Sequence, residues 1–327
     1  MADELVLNQN LNAEKPEVDE DSLFKLVELN ETESEHLAAE PYSYWKSVLR
    51  VFIKKPSARI AIVCLALIIL SAIFIPMFGQ NVPGGYLPYP KTMDLAPSAE
   101  HWFGTDNMGR DLFFGIFKSV GKSLIMAVIV SALNIVMGTL AGLAWGFFRK
   151  LDPIMIEVYN LISNVPSLLL YMLLAVIFST AFPDVSIEAR FVIALSIFGW
   201  IGVSLFIRNQ TIIITNREYN IASITLGTPG HRIMIKNLLP YILSVIITEL
   251  SLLIPGVVSS EVSMTYFGVG LDTKDFTIGA LLENGRQNFT IRPWQLIVPA
   301  SVLAFIIFTF YLLGLALSDA LDPRKHR

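Results

Sequence analysis

The sequence of 327 residues has little of what soluble chemistry uses. It holds one cysteine, Cys64, so an intramolecular disulfide framework is excluded. Its four histidines, His36, His101, His231 and His326, are scattered, with no i, i+4 pair and no cysteine neighbour, so no metal ligand set is spelled out. No G-x-S-x-G or H-E-x-x-H string occurs, and with them goes the usual evidence for a hydrolase. Gly121-Lys122-Ser123 imitates the end of a phosphate-binding loop, but Ile116 stands where that loop needs its first glycine. No basic run with interleaved aromatics stands clear of the apolar stretches, so no nucleic-acid partner is expected. Charge is scarce as well: 16% of residues, against roughly 25% in soluble domains.

What is abundant is apolar sequence, 54% of the chain, arranged in six long stretches. They are Ile60–Phe78, Ser123–Phe148, Val158–Pro183, Phe191–Ile207, Leu238–Ser260 and Gln295–Ser318. A membrane-spanning helix needs roughly 20 predominantly apolar residues. Lipid cannot satisfy backbone amides, so helices of that length are the available solution. The fourth stretch, 17 residues long, is extended by Arg190 and Arg208, whose side chains can snorkel. The expected fold is an all-α integral membrane protein with six transmembrane helices.

The net charge of −4 conceals a split. Residues 1–40 hold 12 acidic and two basic side chains, so this stretch carries −10 and the remainder +6. Low hydrophobicity and high charge read as a solvated, disordered extension, and the stretch lacks the basic and apolar regions of a signal peptide. Six alternating spans put 14 basic residues on the side of both termini and eight on the other. The positive-inside rule then places both termini in the cytoplasm and makes 79–119 and 261–294 external loops. The divisions follow: an acidic tail (1–40), an interfacial helix with the first span and external loop (41–119), a core of five spans (120–320), and a basic tail (321–327). Trp45, Val48, Leu49 and Phe52 share one helical face ahead of the first span, which fits either a helix lying in the interface or an ordinary basic flank.

Three features mark the spans. Gly138, Gly142 and Gly146, four apart, open a groove for a helix of this chain or of another. Glu249 and Glu261 flank Pro255 in the fifth stretch. An in-span carboxylate is costly, so each either lines a water-filled pathway or pairs with a neighbouring helix or the interface. Asn288-Phe289-Thr290 forms a glycosylation sequon, a three-residue pattern common by chance.

The richest segment lies between the fourth and fifth stretches, from Thr215 to Pro240. Asn216 is the expected cap of a short helix, with Glu218 in its first turn. Tyr219, Ala222, Ser223 and Leu226 make an i, i+3, i+4, i+7 stripe, and Gly227 suits a left-handed stop. Thr228 and Pro229 then restart a helix as cap and first residue, and Pro240 leads into the fifth span. Two short helices with a small-residue face exceed what a plain connector needs.

This segment resembles the coupling loop of ABC importer permeases, E-A-A-x3-G followed about a dozen residues on by L-P, with Ala222, Ser223, Gly227, Leu239 and Pro240 at matching places. Ile221 stands where that family has glutamate, and Ser223 where it has a second alanine. His101, Gly104, Thr105, Asp106, Gly109, Arg110 and Asp111 are similar to the H-x-x-G-T-D-x-x-G-R-D string of dipeptide and oligopeptide permeases of the C type. Glu261–Gly270, Ile278–Arg286 with Pro293-Trp294, and the ending Asp319-Ala320-Leu321-Asp322-Pro323-Arg324 match the same family, which is resembled from about 42 to 324. The resemblance implies a type I importer permease that is not itself an enzyme. Its partners would be a second homologous permease, two cytoplasmic ATPases that hold ATP and Mg, and an external substrate-binding protein. A peptide, or nickel or another small solute, would be the cargo, and this chain would bind no cofactor in the plasma membrane of a prokaryote. The other reading is a stand-alone secondary transporter, although no broken helix repeats in two halves. Arg110 flanked by Asp106 and Asp111 fits a turn with an internal ion pair, or a contact for the binding protein.

Overall fold

The computed structural model describes residues 44–79, 89–269 and 276–321. The acidic stretch 1–40, the segment 322–327 with Asp322-Pro323-Arg324, and Gly270 of the last external motif lie outside the described residues.

Helix α1 (Tyr44–Lys54) buries Val48 and Phe52 and leaves Trp45 and Leu49 exposed, so only part of the expected apolar face packs on the body. Helix α2 (Pro56–Gly79) opens on a proline, whose missing N–H is harmless in a first turn. Only 11% of its most apolar window is buried, and Ile60, Val63, Leu67, Leu70 and Phe74 face outward. An unbroken apolar surface of this kind suits lipid and not water. Helix α3 (Leu112–Phe147) is capped by Asp111, whose carboxylate accepts the Phe113 amide. Its 36 residues reach about 54 Å at 1.5 Å per residue, well beyond a bilayer's hydrocarbon core.

The third apolar stretch corrects the expectation of a continuous helix. It is divided into α4 (Asp152–Ser163) and α5 (Ser167–Ala181), bent by 83° across Asn164-Val165-Pro166. Pro166 biases Val165 away from helical geometry and has no N–H to give, so the helix stops there. Helix α6 (Ile187–Thr215) follows, then α7 (Glu218–Thr225), α8 (Gly230–Ile233) and a π-turn (Met234–Leu238). Beyond them lie α9 (Leu239–Tyr266), α10 (Ile278–Gln287) and α11 (Trp294–Leu321). Among the described residues five helices are long and apolar enough to span a membrane, and the bent pair makes a sixth candidate.

The packing of α3 on α6 settles what the bent pair does. A Cβ on Gly138 would strike Val203 at 2.6 Å, one on Gly142 would strike Ser204 O at 2.5 Å and Ile207 at 2.7 Å, and one on Gly146 would strike Thr211 at 2.6 Å. Gly199 meets Asn134 in the same register. These pairs rise together along the sequence, so α3 and α6 run parallel. Lys122, near the start of α3, binds Glu188, near the start of α6, at 2.8 Å. The chain therefore leaves α3 at one end of the bundle and enters α6 at the other, so α4 and α5 together carry it back across. Six crossings result, with the third made by a broken helix. The glycine groove is filled from within this chain. At the opposite end from Lys122, Asp152 accepts Trp145 Nε1 at 2.7 Å and binds Arg208 Nη2 at 2.6 Å, clamping α4 to both parallel helices.

Two apolar cores lie along the bundle. One joins Ile116, Val130, Met264 and Ile306 and the other joins Ile207, Ile233, Leu238 and Ile242. Lys55 binds Asp319 at 2.7 Å, which brings the start of α2 and the end of α11 to one end, as an even number of crossings requires.

Candidate functional site

The segment between α6 and α9 is a short helix held out from the bundle by one buried amide. Arg217, not Asn216, stands at the N-cap of α7, and no side chain caps it; Asn216 instead closes α6. Asn220, fully buried, donates through Nδ2 to Ile214 O at 2.8 Å and accepts from Asn237 Nδ2 at 3.0 Å. These bonds tie α7 to the end of α6 and to the π-turn. Asn220 was invisible to the stripe argument because it lies beside the stripe of Tyr219, Ala222 and Ser223, about 100° round the helix from Tyr219. A lone asparagine on the inner side of a short helix was the available signal.

At the other end of α7, Gly227 has φ +79°. Its amide donates to Ile224 O and the Thr228 amide to Ser223 O, at 3.0 and 3.1 Å, the paired bonds of a Schellman stop. The restart falls one residue later than expected: Pro229 occupies the cap and Gly230 the first helical position. Gly230 lies against Phe147, which a Cβ would strike at 2.7 Å. Pro240 occupies the first turn of α9; it cannot donate to Lys236 O, and the preceding backbone widens into the π-turn.

Around the buried Asn220 the surface of α7 is open, with Glu218 and Thr225 exposed among apolar side chains. Tyr219, Ile221, Ile224 and Leu226 are exposed, Leu226 by 86%, Ala222 is also open, and Ser223 Oγ turns back to Tyr219 O. Ile221 and Ile224 line a cleft of about 560 Å³ whose other wall carries Phe148, Arg149 and Lys150. The Tyr219 ring lies beside Tyr241, and Arg217 lies over the Tyr241 ring at 5.5 Å. Desolvation, then the neighbouring Tyr241, raises the Tyr219 phenol above its ordinary pKa.

The segment before α3 is a sealed knot. Asp106 accepts the amides of Met108 and Arg110 through Oδ1 and Arg110 Nε through Oδ2 at 2.6 Å. Asp111 Oδ2 lies 2.7 Å from His101 Nδ1 while its Oδ1 caps α3. Gly104 and Gly109 take positive φ, and their missing Cβ atoms leave room for Leu95 O and Tyr89 O. Thr105 donates to Thr92 O and accepts from the Leu95 amide. Gln295 of α11 donates to Thr105 O at 2.8 Å. All seven motif residues therefore build one turn, and Arg110 spends its charge on Asp106 inside it. Nearby, hydrogen bonds from Arg286 hold Glu283 of α10 below its ordinary carboxylate value.

The two in-span glutamates part company. Glu261 is buried, accepts Ser123 Oγ at 3.1 Å, and lies against Thr265 and Gly279 at the start of α10. That is the helix-paired arrangement. Glu249 instead borders a cavity of about 280 Å³ together with Asn134, Tyr171, Gly199 and Ser260.

The sequence that builds these helices and this turn has relatives. Residues 134–327 match the family described as binding-protein-dependent transport system inner membrane component, and residues 43–97 match the N-terminal TM domain of oligopeptide transport permease C. Oligopeptide transport system permease protein AmiD of Streptococcus pneumoniae is 36% identical over 309 residues, 93% of this chain and 97% of that protein. Oligopeptide transport system permease protein OppC of Bacillus subtilis is 30% identical, over 94% of this chain and 98% of its own. Dipeptide transport system permease protein DppC of the same organism is 28% identical over 94% of both. The protein is a multi-span, non-catalytic membrane subunit that works with other subunits in transport, and it belongs to the binding-protein-dependent transport system inner membrane component family.

Proposed function

We propose that this chain is one of two permease subunits of an ATP-driven peptide importer, with α7 as the element that docks on an ATPase. The observation that carries the docking is the build of α7: its inner face is fixed by Asn220 and its end by Gly227, while Ile221, Ile224 and Leu226 are left open. Exposed apolar side chains distributed around a firmly tethered helix fit a protein cleft that receives the whole helix. Peptide as cargo follows from the names of the relatives, which are oligopeptide and dipeptide transport permeases. ATP and Mg²⁺ bind the two ATPases and not this chain, and an external binding protein delivers the peptide beside a second permease. Closure of the ATPases pushes α7, and the push reaches α6 and α9 through the Asn220 bonds, rocking the bundle between inward- and outward-open states. Both termini face the cytoplasm, an orientation supported by the excess of basic residues at that end.

The test is a cysteine at Leu226 in the assembled transporter with Cys64→Ser. Leu226→Cys should cross-link to the ATPase subunit and the cross-link should block ATP-driven uptake. If the transporter runs normally while cysteines along α7 cross-link to no ATPase, the docking assignment is wrong.

A further inference from the structure

The cavity at Glu249 lies between α3, α5, α6 and α9. Its volume is about 280 Å³ and it is open on one side.

Three observations give the cavity a chemical preference. Asn134 is 2% exposed, yet its Oδ1 has no hydrogen-bond partner among the described residues. That oxygen is closed off from solvent, and Asn134 contributes a polar wall beside Glu249. Glu249 is half-buried, and among the described residues no basic side chain pairs with it. Among the described residues no lysine or arginine lines the cavity. The walls also keep it open: a Cβ on Gly256 would meet nothing within 4 Å, whereas one on Gly199 would strike the Asn134 amide at 2.4 Å. Gly199 thus makes room for the Asn134 side chain, and Gly256 leaves room for a guest.

An ionised carboxylate only accepts hydrogen bonds, so the guest that complements Glu249 is a donor with positive charge. We propose that Glu249 binds a primary ammonium group of the peptide in transit, the α-amino terminus or a lysine side chain. The Tyr171 ring forms an adjoining wall. The site sits on three spans of the continuous bundle and on α5 of the broken one, so relative movement of these helices opens or closes it. The proposal rests on the peptide-importer reading above.

The test uses the full transporter with Cys64→Ser and Ser260→Cys, without the external binding protein, whose own selectivity would intrude. Maleimide labelling of residue 260 is followed with a free tripeptide of alanine, its N-acetyl analogue, and an N-acetyl peptide with one internal lysine. The free tripeptide should slow labelling and the N-acetyl alanine peptide should not. Adding Glu249→Gln, which keeps the shape, should raise the half-protecting concentration about tenfold. Protection by the lysine peptide supports ammonium binding with the side chain as its source. Equal protection by the free and acetylated alanine peptides, or protection unchanged by Glu249→Gln, overturns the site. ATP-driven uptake of the tripeptide by the Cys64→Ser transporter with its binding protein is measured alongside. Its absence overturns the importer reading, whereas uptake without ammonium-dependent protection overturns the site alone.

Discussion

Gly227 separates the backbone demands of α7 from the demands of its partner. It sits at φ +79°, and a Cβ built there meets nothing within 4 Å of this chain. The cost of Gly227→Ala is therefore strain without clash, roughly 1–2 kcal/mol for a left-handed non-glycine residue. Each hydrogen bond of Asn220 opposes loss of α7 by about 0.5–1.5 kcal/mol, so the helix stays anchored at its start while its end loosens. A cost of 1–2 kcal/mol shifts the population of the intact stop by roughly 5–30-fold. Gly227→Asn adds a side chain while tolerating the left-handed geometry, so its thermal midpoint in detergent should match that of the parent. The assay pairs that midpoint with ATP-driven uptake in proteoliposomes. Gly227→Ala should lose uptake several-fold with little change in global stability, Gly227→Asn should restore the stop, and a bulky Gly227→Leu should insert into the membrane yet fail to couple. Gly227→Ala and Gly227→Leu transporters that both match the parent in uptake would refute the argument.

Other perturbations follow from the same geometry. Asn220→Ala leaves Ile214 O and Asn237 without their buried partner and should cost about 1–3 kcal/mol, read as a lower midpoint and weaker copurification of the ATPase. Asp106→Ala strips the carboxylate from Arg110, which is 4% exposed, and should cost about 3–5 kcal/mol, seen as poor yield of folded protein. Glu283, held below its ordinary 4.5 first by the Arg286 hydrogen bonds, contributes stability at pH values above 4.5 that is lost as pH falls through its lowered folded value. Midpoints measured downward from pH 5 should thus fall more for the parent than for Glu283→Gln.

Much of this protein was legible in its sequence because the bilayer imposes a length rule and glycine a steric one. The apolar stretches fell on helices, and Gly227 marked a left-handed stop that its neighbours cannot adopt without strain. The third span was read as continuous although Pro166 stood inside it, because proline is tolerated in spanning helices and composition does not report a bend. Pro255 makes the contrast: α9 runs through it unbroken. The glutamates were equivalent in sequence. Twelve residues of helix rotate them about 120° apart, and the neighbours on each side decided that Glu261 meets Ser123 while Glu249 meets a cavity.

By itself the sequence determined that the chain crosses a membrane, that its charge is divided between an acidic stretch and a basic body, and that a short helix ending at Gly227 joins two spans. Those properties reside in composition and in local backbone sterics, which act over a few residues. Tertiary structure alone decided that α3 and α6 run parallel, which helix fills the Gly138–Gly146 groove, and that Asn134 and Glu249 face one space. These depend on contacts between residues about 65 and 115 positions apart. No local pattern encodes which helix will lie against which.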